Sequence, residues 1–306
     1  MKTFASFVSF PVLVLCLLIL LHSSARAEDT TPALLDAQPF PLANEVVNPP
    51  ETTFLPTRDL FKPLIADPKE PRFYLSYRLF KFNSAKIHGA VGGYGDIFGL
   101  YRHTNNSGGY SWQANFGGGA HAQFDLHSPS LDLVNTDYFI GFPFSFRKGS
   151  ESYRVALYHQ SSHLGDEFLL HNSIERLELS FETIEVIGSS EWEKWRVYYG
   201  GDYIVHQGPT NIKPAAAQGG IEYYDTTTSV GRGRLVGGWD LKSDQAHDWS
   251  LNSSIKLGLQ FDSSIANGRY IRLLVEGYKG FSPYGQFYTS ASRMTYVGIG
   301  LSLGFE

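Results

Sequence analysis

The sequence predicts an all-β fold, an antiparallel transmembrane β-barrel of about twelve strands preceded by an irregular, proline-rich lead. Three observations predict it. First, beyond Pro71 apolar and polar residues alternate in runs of more than ten, longer than the roughly five or six residues usual in soluble sheets and near the length a tilted membrane strand needs. Trp112, Ala114, Phe116, Gly118, Ala120, Ala122 and Phe124 hold one parity, and Gln113, Asn115, His121, Gln123 and Asp125 the other. Second, the polar parity is rich in Gly, Ser, Asn and Gln, while Tyr, Phe and Trp recur near strand ends. The first suits a small barrel's interior and the second an interfacial girdle. Third, after the N-terminal leader no apolar run approaches the roughly 20 residues of a membrane helix, and mean hydropathy is near neutral.

The elements follow in order. Lys2 precedes an apolar run from Val12 to Leu21, and Ala25-Arg26-Ala27 presents small residues where a signal peptidase reads them. Residues 1–27 are therefore expected to be a signal peptide, cleaved before Glu28. Cys16 is the only cysteine and Leu15 before it is too bulky for a lipoprotein site. The mature chain should lack a thiol, a disulfide and a lipid anchor. Residues 28–71 form the lead, punctuated by Pro39, Pro41, Pro49, Pro50, Pro56, Pro63, Pro68 and Pro71, with a short helical turn expected around Arg58 to Ile65. It reads either as a periplasmic tail or as a segment packed under or inside the domain that follows.

Residues 72–306 are the expected barrel, with strands near 72–82, 88–101, 109–125, 132–146, 151–163, 170–186, 193–206, 215–225, 231–242, 249–261, 268–279 and 293–305. An even count returns the C-terminus to the side of the N-terminus, as bacterial single-chain barrels require. The closing strand alternates Val297, Ile299, Leu301, Leu303 and Phe305 with glycine and serine. A formal charge of −5 with acids and bases interspersed offers no basic stripe, which argues against a nucleic-acid partner. Gly92-Gly93-Tyr94-Gly95 and Gly117-Gly118-Gly119 lack the lysine and following helix of a phosphate loop, so they read as strand glycines.

One stripe breaks its own pattern. Tyr153, Val155 and Leu157 share a strand face with His159 and Ser161, so an imidazole and a hydroxyl continue an apolar row where polar groups are costly. On the next strand Glu175 shares its parity with Leu177, Leu179 and Phe181. The loop Leu164-Gly165-Asp166-Glu167 returns the chain so that Glu175 can approach the outer end of the preceding strand. A serine becomes nucleophilic when a histidine removes its proton, and an acid on the far ring nitrogen orients that histidine. Ser161, His159 and Glu175 supply nucleophile, base and orienter, and His163, on the same parity, is an alternative base. Against this stand an interfacial polar pair, a parity broken by a bulge, and a Glu175 that lies beyond the lipid.

His159-Gln160-Ser161 followed by an acid resembles the His-x-Ser arrangement of outer-membrane phospholipase A, and Glu175-Arg176-Leu177 falls where that family has Asn-Arg-Leu. Lipid A deacylases carry a similar pattern. This resemblance covers about Tyr158 to Leu179. It implies catalytic residues on a lipid-facing wall, with phospholipid or lipid A as the partner, and it makes Asp166 and Glu167 candidates for a calcium ion that aids the oxyanion hole. Ser162-His163 stands where the phospholipase has Asn-Gly, a departure at the loop that follows the serine. Over the whole mature chain, including Phe54-Leu55-Pro56-Thr57-Arg58-Asp59-Leu60-Phe61 and Ser282-Pro283-Tyr284-Gly285-Gln286-Phe287-Tyr288, the sequence is similar to a bacterial outer-membrane family of unassigned function. The signal peptide and aromatic last strand resemble outer-membrane proteins inserted by the barrel-assembly machinery. Two functions follow as expectations: an outer-membrane serine esterase acting on acyl esters, or a non-catalytic barrel serving as structural protein, receptor or narrow pore.

Overall fold

The computed structural model describes residues 51–82, 85–172, 174–208, 211–230, 232–262, 269–288 and 293–305. The expected signal peptide and the first part of the lead lie outside the described residues. A short strand β1 (Glu51–Phe54) comes first, then β2 (Phe73–Phe82), β3 (Ala85–Asn105), β4 (Tyr110–Asp125), β5 (Leu133–Lys148) and β6 (Glu151–Leu164). A one-turn helix α1 (Asp166–His171) separates β6 from β7 (Leu179–Trp192). β8 (Trp195–Gln207), β9 (Ala215–Val230), β10 (Gly233–Asp244), β11 (Leu251–Asp262), β12 (Arg269–Gly280) and β13 (Met294–Phe305) complete the chain.

Strands β2 to β13 form a closed antiparallel barrel of twelve. Each pairs with its chain neighbours, and β13 returns to β2 with Met294 opposite Phe82 and Leu303 opposite Phe73. Closure removes the unpaired edges that a membrane cannot tolerate. β1 lies outside this count, pairing with the far end of β3. Turns 106–109, 149–150 and 193–194 define one end of the barrel, and the longer connections 126–132, 165–178 and 281–293 the other. At the short-turn end Gly149 occupies φ +58°, a left-handed conformation that glycine adopts without a Cβ clash. At the long-loop end a Cβ on Gly165 would lie 1.8 Å from the Leu133 carbonyl oxygen, so only glycine lets β6 end that close to β5.

The alternation read from the sequence is the alternation of faces. Tyr153, Val155 and Leu157 are exposed on the outer wall while Ser152, Arg154 and Ala156 are buried inside. The largest departure is at the sixth barrel strand, expected over 170–186. Helix α1 and the irregular residues 174–178 occupy that stretch, so β7 starts at Leu179.

The described part of the lead passes through the lumen. Phe61, Leu64, Ile65 and Ala66 are at most 1% exposed. Phe61 and Leu64 pack on Ile187 and Tyr198, and Ile65 on Val236 and Leu274. These inward-facing apolar residues of an otherwise polar lumen thus have their partners in the lead. The Arg154 and Arg196 guanidinium groups lie 4.8 and 4.5 Å from the centre of the Phe61 ring. Polar anchors complete the fit. The Ile65 amide donates to Glu222 Oε1 at 2.5 Å, Ser254 Oγ donates to the Ala66 carbonyl at 2.6 Å, and Gln218 bridges Asp67 and Asp240 at 2.9 and 2.8 Å. Arg154 donates to both Glu70 oxygens, at 2.8 and 3.1 Å, and to Glu185 Oε1 at 2.7 Å. Pairing of this kind satisfies the charges that the lumen buries.

Candidate functional site on the outer wall

The site is set by the register of β5 to β8. Along one row Ile140 of β5 lies opposite His159, and His159 lies opposite Glu182 of β7. The next row, toward the long loops, runs Tyr138, Ser161, Ser180. Ser161 is three residues from the end of β6, roughly 10 Å along the strand. Exposed Leu157, Ile140, Phe142 and Ile184 lie around and below these polar rows on the same wall. The polar groups therefore sit at the upper margin of an apolar band.

His159 Nδ1 and Glu182 Oε1 are 2.8 Å apart, and Glu182 Oε2 is 2.5 Å from Nδ1 of His206 on β8. An imidazole that donates Nδ1–H to a carboxylate keeps the Nε2 lone pair free as a base. Ser161 shares the face of that imidazole two residues along the strand. Among the described residues no hydrogen bond joins the Ser161 hydroxyl to His159, and in unliganded sites this contact is often open and tightens with substrate. His163 is exposed on the same face, its ring 5.9 Å from that of Tyr138.

The carboxylate that meets His159 is Glu182, where parity pointed to Glu175. Glu175 is exposed in the irregular stretch before β7 begins and does not meet His159. The cause is the inward turn of Leu179, which is 4% exposed. Leu177, Leu179 and Phe181 suggested the lipid-facing parity, yet Ile184 and Val186, on the parity of Glu182, are the exposed pair. Leu179 is covered from within by the loop 281–288, whose Gly285 lies against it and against Ser162. Glu185 carried the signal that resolves the ambiguity: a charge in mid-strand belongs to the lumen, which sends Glu182 outward. His206 was legible only through the backbone irregularity described below.

The loops brace this corner. Gln286 Nε2 donates to the carbonyls of Ser162 and Leu177 at 2.6 and 2.7 Å, and its Oε1 accepts from the Leu177 amide at 3.0 Å. Gln286→Leu is therefore expected to speed amide exchange at Leu177, read by hydrogen–deuterium mass spectrometry, while exchange in β11 and β12 stays unchanged. His171 Nδ1 lies 2.6 Å from Asp132 Oδ2, tying α1 to the loop before β5. That hydrogen bond holds the Asp132 carboxyl below the usual carboxylate range. Asp166 and Glu167 open α1, where adjacent side chains diverge by roughly 100°, and Asp166 pairs with Arg176 at 3.3 Å. Among the described residues no group of three or more His, Cys, Asp or Glu side chains comes together as a metal site.

The chain belongs to the family described as protein of unknown function (DUF1207), whose model matches residues 25–305. No curated protein matches it. Solved structures similar to it include outer membrane phospholipase A from Escherichia coli, at 16% identity and a TM-score of 0.51 over 81% of this chain and 95% of that one. An active-site mutant of the same protein gives 16% and 0.52 over the same shares. The Salmonella typhi outer membrane phospholipase, a dimer with bound calcium, gives 14% and 0.50, again over 81% and 95%. At such identities the likeness is one of fold, and the fold is that of bacterial outer-membrane barrels.

Proposed function

We propose that this chain, a member of the DUF1207 family, is an outer-membrane serine esterase that hydrolyses acyl esters of phospholipid or lipid A at its lipid-facing wall. The observation that carries the reading is the 2.8 Å contact between His159 Nδ1 and Glu182 Oε1 beside an outward serine on the same face. A carboxylate and an imidazole at that position cost free energy that a purely structural wall avoids.

Ser161 Oγ attacks the ester carbonyl carbon as its proton passes to His159 Nε2, and Glu182 stabilises the imidazolium through Nδ1–H. The carbonyl re-forms, the alcohol half of the lipid leaves with the proton from His159, and the acyl group remains on Ser161. Water then gives a proton to His159 and its oxygen to the acyl carbon; the bond from that carbon to Ser161 Oγ breaks, Oγ takes the proton back from His159, and fatty acid is released. Substrate arrives laterally along the wall, so the filled lumen does not obstruct it. The same filled lumen supports the second reading, a non-catalytic barrel, because a barrel whose role is structural also needs a satisfied interior. Insertion by the barrel-assembly machinery accords with Phe305 near the end of the last strand.

The test uses the purified protein in detergent with phospholipid or lipopolysaccharide, with calcium or chelator added. Fatty acid should appear, and a fluorophosphonate probe should attach at Ser161, located by peptide mass. A wild-type protein that neither releases fatty acid nor takes up the probe overturns the esterase reading.

A further inference from the structure

Glu182 is shared by two histidines, and the second is there because the strand carrying it is irregular. Between β7 and β8 Glu182 lies opposite His206, while the next residue, Thr183, lies opposite Ile204. Val205 is thus one residue too many, the mark of a β-bulge. Regular alternation on β8 sends Tyr203 and Val205 to the outer wall and would turn His206 inward. With the extra residue Val205 and His206 are both exposed, and the imidazole comes within 2.5 Å of Glu182 Oε2.

The two contacts divide the carboxylate. Oε1 faces His159 at 2.8 Å and Oε2 faces His206. A glutamate on an exposed wall has three rotatable bonds, and one contact leaves its carboxyl plane free to swing. A donor on the second oxygen fixes the plane and with it the direction of the first. Partners one step removed from a working imidazole set its orientation and basicity in this way. His206 makes no approach to Ser161 in the strand register, being on the far side of β7, so it acts on the reaction only through Glu182.

Resting on the esterase reading, we propose that His206 is a positioning residue: its Nδ1–H holds Glu182 so that Oε1 stays aimed at His159 and Nε2 stays turned toward Ser161. The experiment measures kcat and KM for fatty-acid release from phosphatidylcholine–detergent micelles, together with the rate of fluorophosphonate labelling. It compares wild type, Ser161→Ala, His206→Phe and His206→Asn, each confirmed as folded by heat-modifiable gel mobility. Phenylalanine keeps a ring but no donor, and asparagine places an amide N–H near the position of Nδ1. His206→Phe should lower kcat and labelling rate about 10- to 100-fold with KM changed less than about twofold. His206→Asn should recover most of the loss, which a merely structural role for the ring would not allow. A folded His206→Phe protein with wild-type kcat, a loss confined to KM, or an asparagine variant as impaired as phenylalanine overturns the inference while Ser161→Ala still upholds the esterase. Hydrolysis that is absent from wild type, or that survives Ser161→Ala, overturns both.

Discussion

Ser161→Ala and His159→Ala are each expected to abolish acyl-ester hydrolysis, and Glu182→Ala to lower kcat about 10⁴-fold, the scale seen when the acid of a serine triad is disabled. Glu175→Ala should leave kcat within about twofold of wild type. The contrast between the two glutamates discriminates more sharply than the loss at Ser161, because both are acidic and close in sequence to the serine. Only Glu182 contacts His159. Without it His159 loses its Nδ1 partner, so the ring can take the wrong tautomer and its protonated form is no longer stabilised. The effect should fall on kcat, since in the proposed mechanism Glu182 acts through His159. Equal losses in Glu175→Ala and Glu182→Ala, measured as fatty acid released per minute, would sink the assignment of the acid.

The barrel was legible in the sequence because its rule is local. Period-two alternation over long runs has few competing explanations, and eleven of the expected strands lie close to those observed. The sixth was not, because α1 and residues 174–178 interrupt the chain there and because Leu177, Leu179 and Phe181 are apolar for a reason that is not local. They face a mouth filled by a loop more than a hundred residues later in the chain, through Gly285 and Gln286. The same holds inside the barrel, where Ile187, Val236 and Leu274 face inward to meet a lead whose course no periodicity reveals. His159 and Ser161 could be found because they break a pattern on their own strand. Glu182 required the register between strands, and His206 required a bulge.

Arg154→Ala is expected to give the largest loss of stability of any single change in the lumen, and to release the lead. Its guanidinium is 5% exposed and holds Glu70 of the lead, at 1%, together with Glu185 of β7. Removing it strands two carboxylates in the interior, and breaking a buried pair by taking one partner costs about 3–5 kcal/mol. Glu70→Gln should cost less, because Arg154 keeps Glu185 and the amide oxygen can still accept a hydrogen bond. Arg176→Ala, which breaks a pair at the surface with a carboxylate 94% exposed, should leave the unfolding midpoint unchanged. Denaturant titration in detergent micelles reads the midpoints, and limited proteolysis reads the lead, which should be cleaved near Arg58 or Lys62 in Arg154→Ala and protected in wild type. The result bears on the site as well. Arg154 and His159 lie on the two faces of β6, and Glu185 and Glu182 on the two faces of β7. The pair of strands that presents Glu182 and His159 outward is thus clamped from within by the lead. If Arg154→Ala loses stability and keeps the probe-labelling rate at Ser161, the outer wall holds its geometry unaided. A fall in both, with fold retained by gel mobility, assigns the lead a part in aligning the site.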